Sequence, residues 1–210
     1  LVVDAVLDAF DNQIRRPADS TFVLDISGSM AGERMTQMKT ALQGLTGLDT
    51  SLSGRFARLR ERENISMVAF DDTVRPAVQF KLGKADRAAT EGRVRDYISK
   101  LEPTGGTAVF SAAQVAYQES LARRKADASR YYSVVLLTDG QSNKGLSPAE
   151  FETWYAALPE ADKGIRIFSI QFGDAKADQL EALARLTGGR VFNATKTPLA
   201  QVFKEIRGYQ

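Results

Sequence analysis

The sequence contains no cysteine and no histidine. Without cysteine there is no disulfide framework and no thiolate nucleophile; without histidine there is no Ser-His-Asp triad. A zinc site built on His and Cys is excluded with them. Oxygen ligands, lysine and arginine are what remains for chemistry. The missing cysteines fit either side of a membrane, so the redox compartment stays open. No apolar run approaches the ~20 residues of a membrane-spanning helix. An excess of one charge sign is lacking too, since 28 basic against 26 acidic residues leave a net charge of +2. The basic stretches "RFARLRERE" and "ARRKA" are interleaved with acids or lie in helical patterns. They read as solvated helix faces, not as the single clustered basic face of a nucleic-acid site. Residue 1 is Leu, and no signal-peptide pattern follows it, so the chain reads as an excerpt or a processed product.

What is present is ordinary for a soluble globular protein: 210 residues, 43% apolar and 26% charged. That length suits one domain, or one domain with an appendage. Val3, Val6, Leu7, Phe10 and Ile14 follow helical spacing up to Pro17, which predicts a first helix over residues 1–17. "STFVLDIS" then reads as a buried strand, followed by a helix over about 33–45. "NISMVAF" and "VRPAVQF" read as a hairpin across "DDT", with Pro76 placing its second strand at a sheet edge. Helical patterns follow at 86–101 and 107–125. "YYSVVLLTDG" is apolar nearly throughout and so is a strand covered on both faces. After it come a helix near 148–157, the strand "IRIFSIQF", a helix at 178–187, the strand "GRVFNA" and a helix near 197–207. Strands alternating with helices predict an open, doubly wound, mostly parallel α/β sheet with one antiparallel edge strand and helices on both faces.

In such sheets ligands bind beyond the carboxyl ends of the strands, where strand order reverses. Two predicted strands end in an acid and a turn, "VLDISGS" and "LLTDGQS". As neighbours at the reversal their ends would lie about 4.8 Å apart, and Asp25 and Asp139 would face one crevice. "PTGGTAVF" opens the helix that leads into the second of these strands, which brings Thr107 to the same edge. Asp25, Ser27, Ser29, Thr107 and Asp139 are then a set of hard oxygen donors, which suits Mg²⁺, Ca²⁺ or Mn²⁺. Ca²⁺ takes six to eight oxygens, more than five side chains easily supply, whereas Mg²⁺ accepts one or two carboxylates plus waters and an external group. Two carboxylates and three neutral hydroxyls leave the ion electrophilic. A carboxylate from a partner's Asp or Glu would complete the shell.

"DISGSM", the Thr of "TGGTAVF" and the Asp of "LLTDGQSN" resemble the metal-ion-dependent adhesion site of von Willebrand factor A-type domains. The family signature is D-x-S-x-S, then a distant Thr and a distant Asp, and the resemblance runs from about Ser20 to Tyr209, with the domain taken as 18–210. It implies a Rossmann-like sheet in which the hydroxyls of Ser27, Ser29 and Thr107 touch a Mg²⁺, with Mn²⁺ or Ca²⁺ as alternatives. The carboxylates of Asp25 and Asp139 often act through water in such sites. It also implies a non-enzymatic module that binds an acidic group on a protein partner. By composition alone, D-x-S-x-S occurs by chance in about one chain of this length in twenty, so the weight rests on the strand and helix contexts. The plainer reading of Asp25 and Ser27 is that they cap the following helix. The first helix precedes the family's usual start and reads as the tail of a preceding domain. The likeness extends to bacterial modules fused to a solute-binding domain of an envelope protein, which would place the chain outside the cytoplasmic membrane.

A regulatory alternative has the same site docking on an ATPase or on another domain of its own polypeptide. A Mg²⁺-dependent phosphatase of the haloacid-dehalogenase type needs a second Asp two residues after the first, where this chain has Ser27. "GQSNKGLS" has the glycine spacing of a phosphate loop, but Leu146 stands in place of the lysine, so it reads as a plain loop. Asp71 and Asp72 read as turn residues that could also rim the crevice. Phe151, Trp154 and Leu158 have helical spacing and read as core.

Overall fold

The computed structural model describes residues 16–51, 54, 57–173 and 177–208. Residues 1–15, which carry most of the expected first helix, lie outside them. Six strands, β1 (Ala18–Asp25), β2 (Asn64–Phe70), β3 (Val78–Lys81), β4 (Tyr131–Thr138), β5 (Arg166–Gln171) and β6 (Val191–Asn193), form one sheet in the order β3-β2-β1-β4-β5-β6. Every pairing is parallel except that of β3 with β2. From β1 the chain winds outward through β2 to β3 and then crosses back to β4 on the other side of β1. The reversal therefore falls between β1 and β4.

Period-two alternation divides the strands between two cores. Phe22, Leu24, Ile65, Met67, Val135, Leu137, Phe168 and Ile170 face one side. They pack there on α1 (Glu33–Gln43), α2 (Arg87–Ser99) and α6 (Leu199–Gly208) through Met35, Met38, Val94, Ile98, Val202 and Phe203. Val23, Val134, Leu136 and Ile167 face the other side, against α3 (Val109–Ala126), α4 (Pro148–Ala156) and α5 (Asp178–Thr187). Helices on both faces are why the strand sequences read as continuous apolar runs. Phe151 is fully buried there and Trp154 half-buried, its ring meeting Tyr117 edge-on at 5.6 Å, as expected for core.

Three local readings differ from the sequence expectation. The edge strand begins after Pro76, not before it, and only an isolated Phe70–Val74 bridge precedes it; a residue without an N–H is excluded from the ladder. Helix α1 ends at Gln43 and passes into a wider turn over Gly44–Leu48, where Gly47 adopts φ 85°. The basic stretches are not simply solvated. Arg123 is turned inward to Asp19 and Thr21, and Arg58 reaches the buried Glu91. Burying those carboxylates demands a paired cation, which hydropathy alone does not reveal.

Candidate metal site

Each expected donor is delivered by the end of an element at the sheet's carboxyl edge. Asp25 is the last residue of β1 and is fully buried. Its Oδ1 accepts the Ser27 backbone N–H at 2.8 Å, and its Oδ2 accepts the Thr138 hydroxyl at 2.5 Å. Both oxygens are thus engaged before any ligand arrives. Burial is the dominant influence on this carboxyl and pushes its pKa up from 3.8 to about 6, against the smaller stabilising pull of those hydrogen bonds.

Asp139 follows β4 directly and is also buried. Its Oδ1 accepts the Ser29 hydroxyl at 2.9 Å, and the Ser29 oxygen lies 3.0 Å from Ser27 Oγ. A serine hydroxyl has one proton, and that of Ser29 goes to Asp139, so Ser27 is the donor to Ser29. The row Ser27–Ser29–Asp139 joins oxygens on both sides of the β1/β4 reversal. Neither hydroxyl caps a helix. No side-chain cap forms at the 3-10 turn Gly28–Met30, and α1 begins behind Gly32. The helix-capping reading of Asp25 and Ser27 is therefore not the one the fold adopts.

Thr107 lies two residues before α3 and is almost fully buried. Its loop is zipped to the β1 turn: Thr104 N–H donates to the Ile26 carbonyl at 2.6 Å and Gly28 N–H to the Gly105 carbonyl at 3.0 Å. Gly105 sits at φ +67°, and an added Cβ would lie 2.6 Å from Asp72 Oδ2. Only glycine permits this closure. Asp72 therefore rims the loop that carries Thr107. Asp71 is a turn residue, its Oδ1 accepting from Thr73 N–H and hydroxyl. From the other side, the backbone of Thr107 is pinned by Asn143, whose side-chain oxygen accepts its N–H at 2.9 Å and whose own N–H donates to its carbonyl at 2.9 Å. The loop "GQSNKG" is thus a brace for Thr107. Ser147 beyond it caps α4 in a reciprocal box with Glu150.

Sequence reasoning missed three participants. Thr138 was in view beside Asp139, but its bond to Asp25 exists only once β1 and β4 pair. Asn143 depends in the same way on loop closure. The third is Arg34, whose guanidinium donates to Asp139 Oδ2 at 2.5 Å and to the Ser29 carbonyl at 3.1 Å.

The donor set fits a small hard cation. In an octahedral Mg²⁺ shell, with metal–oxygen distances of ~2.0–2.1 Å, adjacent ligand oxygens are about 3 Å apart. Ser27 Oγ, Ser29 Oγ and Asp139 Oδ1 already stand at 3.0 and 2.9 Å spacing. No cluster of three or more Asp or Glu side chains suited to a metal occurs among the described residues, so hydroxyls must supply much of any shell here.

The sequence model of the von Willebrand factor type A domain matches residues 19–205. The chain belongs to that family. Among curated proteins, this von Willebrand factor type A domain is 33% identical to calcium-activated chloride channel regulator 1 of the horse, over 80% of this chain but 16% of that protein. The chain spans well under half the length of the first curated relatives it matches. Its fold is shared with proximal thread matrix protein 1 of the mussel byssus, solved with zinc in its MIDAS motif. That likeness has a TM-score of 0.62 at 21% identity and covers 90% of this chain and 47% of the other. It is shared too with the manganese-loaded TRAP protein of Plasmodium vivax, at a TM-score of 0.59 and 20% identity over 90% and 74% of the two chains.

Proposed function

We propose that this domain is a non-enzymatic, metal-dependent protein-binding module in which a divalent cation, with Mg²⁺ first and Mn²⁺ or Ca²⁺ as alternatives, is held by Ser27, Ser29 and Thr107. Asp25 and Asp139 complete the site partly through water, and a partner's Asp or Glu carboxylate supplies the last ligand. The observation that carries this reading is the row of oxygens, at octahedral-edge spacing, spanning the β1/β4 reversal. Support also comes from proteins of the same fold solved with zinc or manganese. Among the described residues, Leu48 and Val78 are the exposed large apolar side chains, too little for apolar docking. No helix of the described residues is long and apolar enough to cross a membrane; the envelope location expected from the sequence belongs to this same proposal.

Thermal melts test the site. A ligand present at a hundred times its dissociation constant adds about 2.7 kcal/mol to the folded state, a rise of roughly 5–10 °C for a domain of this size. Millimolar Mg²⁺ or Mn²⁺ should give such a rise over EDTA, and Asp139→Ala should remove it. Identical melting in metal and in EDTA would exclude the site.

The pH profile gives a second measurement. A metal and a proton compete for Asp25, whose carboxyl ionises near pH 6. Affinity should be flat above about pH 7 and fall roughly tenfold per unit below 6. In calorimetric titrations at pH 5 and pH 7.5, equal affinities would contradict the involvement of Asp25.

The regulatory alternative keeps the site and changes the partner to an ATPase or another domain of the same polypeptide. The small share of each relative that this domain spans supports a partner within the same polypeptide. Pull-downs with and without metal separate the two. A phosphatase of the haloacid-dehalogenase type would need a second carboxylate at residue 27, where this chain has a serine, so no turnover with Mg²⁺ is expected.

A further inference from the structure

Arg34 is placed with more care than a surface side chain requires. It leaves the first turn of α1, and its Nη1 donates both to Asp139 Oδ2 and to the Ser29 carbonyl. The Nε–Nη2 edge of its guanidinium lies against Gly173, just beyond β5: a Cβ built there would sit 3.1, 3.2 and 3.4 Å from Nη2, Nε and Cζ. Gly173 has φ +81°, so the platform is a position where L side chains are strained. Asp139 is almost fully buried, while the arginine side chain is 44% exposed. A half-exposed head is therefore bound to a buried carboxylate, at the edge of the Ser27–Ser29–Asp139 row.

We infer that Arg34 is a built-in cation that holds Asp139 and competes with a divalent metal for it, and so sets how tightly the site binds metal. The inference rests on the metal-site reading above. An incoming divalent ion beside Ser29 Oγ and Asp139 Oδ1 stands within a few ångströms of a guanidinium bound to the other oxygen of the same carboxylate. The two cations repel, and the carboxylate's charge is shared between them. Because the arginine is half in solvent, it can swing away without unpacking the core. The domain then exchanges one cation for another at Asp139, and Asp139 never needs to be buried without a counter-charge.

The test compares wild type with Arg34→Met, which keeps the unbranched apolar stem of the side chain and removes its charge. Calorimetric titration with Mn²⁺ should show about tenfold tighter binding in the variant, the order expected for deleting a unit charge near a divalent ion. Melting in EDTA should fall by a few degrees, since Asp139 loses its partner, and the metal-induced rise should exceed that of wild type. Arg34→Lys retains the charge and should stay close to wild type in affinity, which guards against a general effect of altering α1. Equal or weaker Mn²⁺ binding by Arg34→Met, with wild type binding normally, overturns the competition and leaves the metal site standing. If neither protein binds Mn²⁺, both readings fall. Binding seen only in the variant would support the competition in its strongest form.

Discussion

Asp25→Asn is expected to make the metal-free domain more stable while destroying its affinity for metal. The two effects share one cause. A carboxyl whose pKa rises from 3.8 to about 6 contributes stability that is fully present below pH ~4 and lost as pH rises through ~6. At pH 7 its charged form therefore costs about 2–3 kcal/mol, at 1.36 kcal/mol per unit. Asparagine has the same shape and no charge. Its oxygen can accept the Ser27 N–H, and its amide can donate to the Thr138 hydroxyl, which can turn to accept. A rise of roughly 5–10 °C in melting temperature in EDTA is expected at pH 7.5, shrinking towards nothing near pH 4. Metal affinity should fall at least tenfold, or about 1.4 kcal/mol. A variant that melts lower than wild type at pH 7.5 in EDTA would show that the buried carboxylate is not the burden claimed for it. Wild-type metal affinity in Asp25→Asn would remove this residue from the site.

The second large effect is expected on the partner. With two carboxylates in the site, one of them also held by Arg34, a bound divalent ion stays electron-poor, and one acidic residue of the partner should dominate binding. Its truncation should cost about 2–5 kcal/mol, much of it from leaving a desolvated charge uncompensated. EDTA should abolish the complex to the same degree. Thr107→Val, which keeps the branched shape and leaves the backbone bonds to Asn143 and Lys144 in place, should weaken the complex far more than it lowers the melting temperature. Surface-plasmon measurements with an acidic-to-amide series on the partner would check all three. A complex that survives EDTA, or that tolerates loss of every acidic residue at its interface, would refute the mechanism without touching the fold.

Much of the architecture was legible because burial leaves a direct mark on sequence. β4 is covered on both faces, so "YYSVVLLT" carries little other signal. The donors of the candidate site were legible for a related reason: polar residues that end an apolar run gather at the strands' carboxyl edge, where strand order reverses. Features that depend on angle were hidden. That Arg34, rather than Lys39, reaches Asp139 depends on the rotational phase of α1. Asn143 and Asp72 act across loops that close only in three dimensions. Arg58, between α1 and β2, meets the buried Glu91 of α2, 33 residues away, a pairing that no local pattern reveals.

The reversal of strand order between β1 and β4 has a consequence for how the domain folds. The Ser29–Asp139 and Thr138–Asp25 bonds close loops of 110 and 113 residues. Such long-range contacts are among the last a chain can form, because their closure entropy must be met before they give anything back. The crevice therefore does not exist in any partly folded chain that lacks β4. A cation bound there cannot act as a nucleus; it can only act as a brake, slowing unfolding while leaving the rate of folding unchanged.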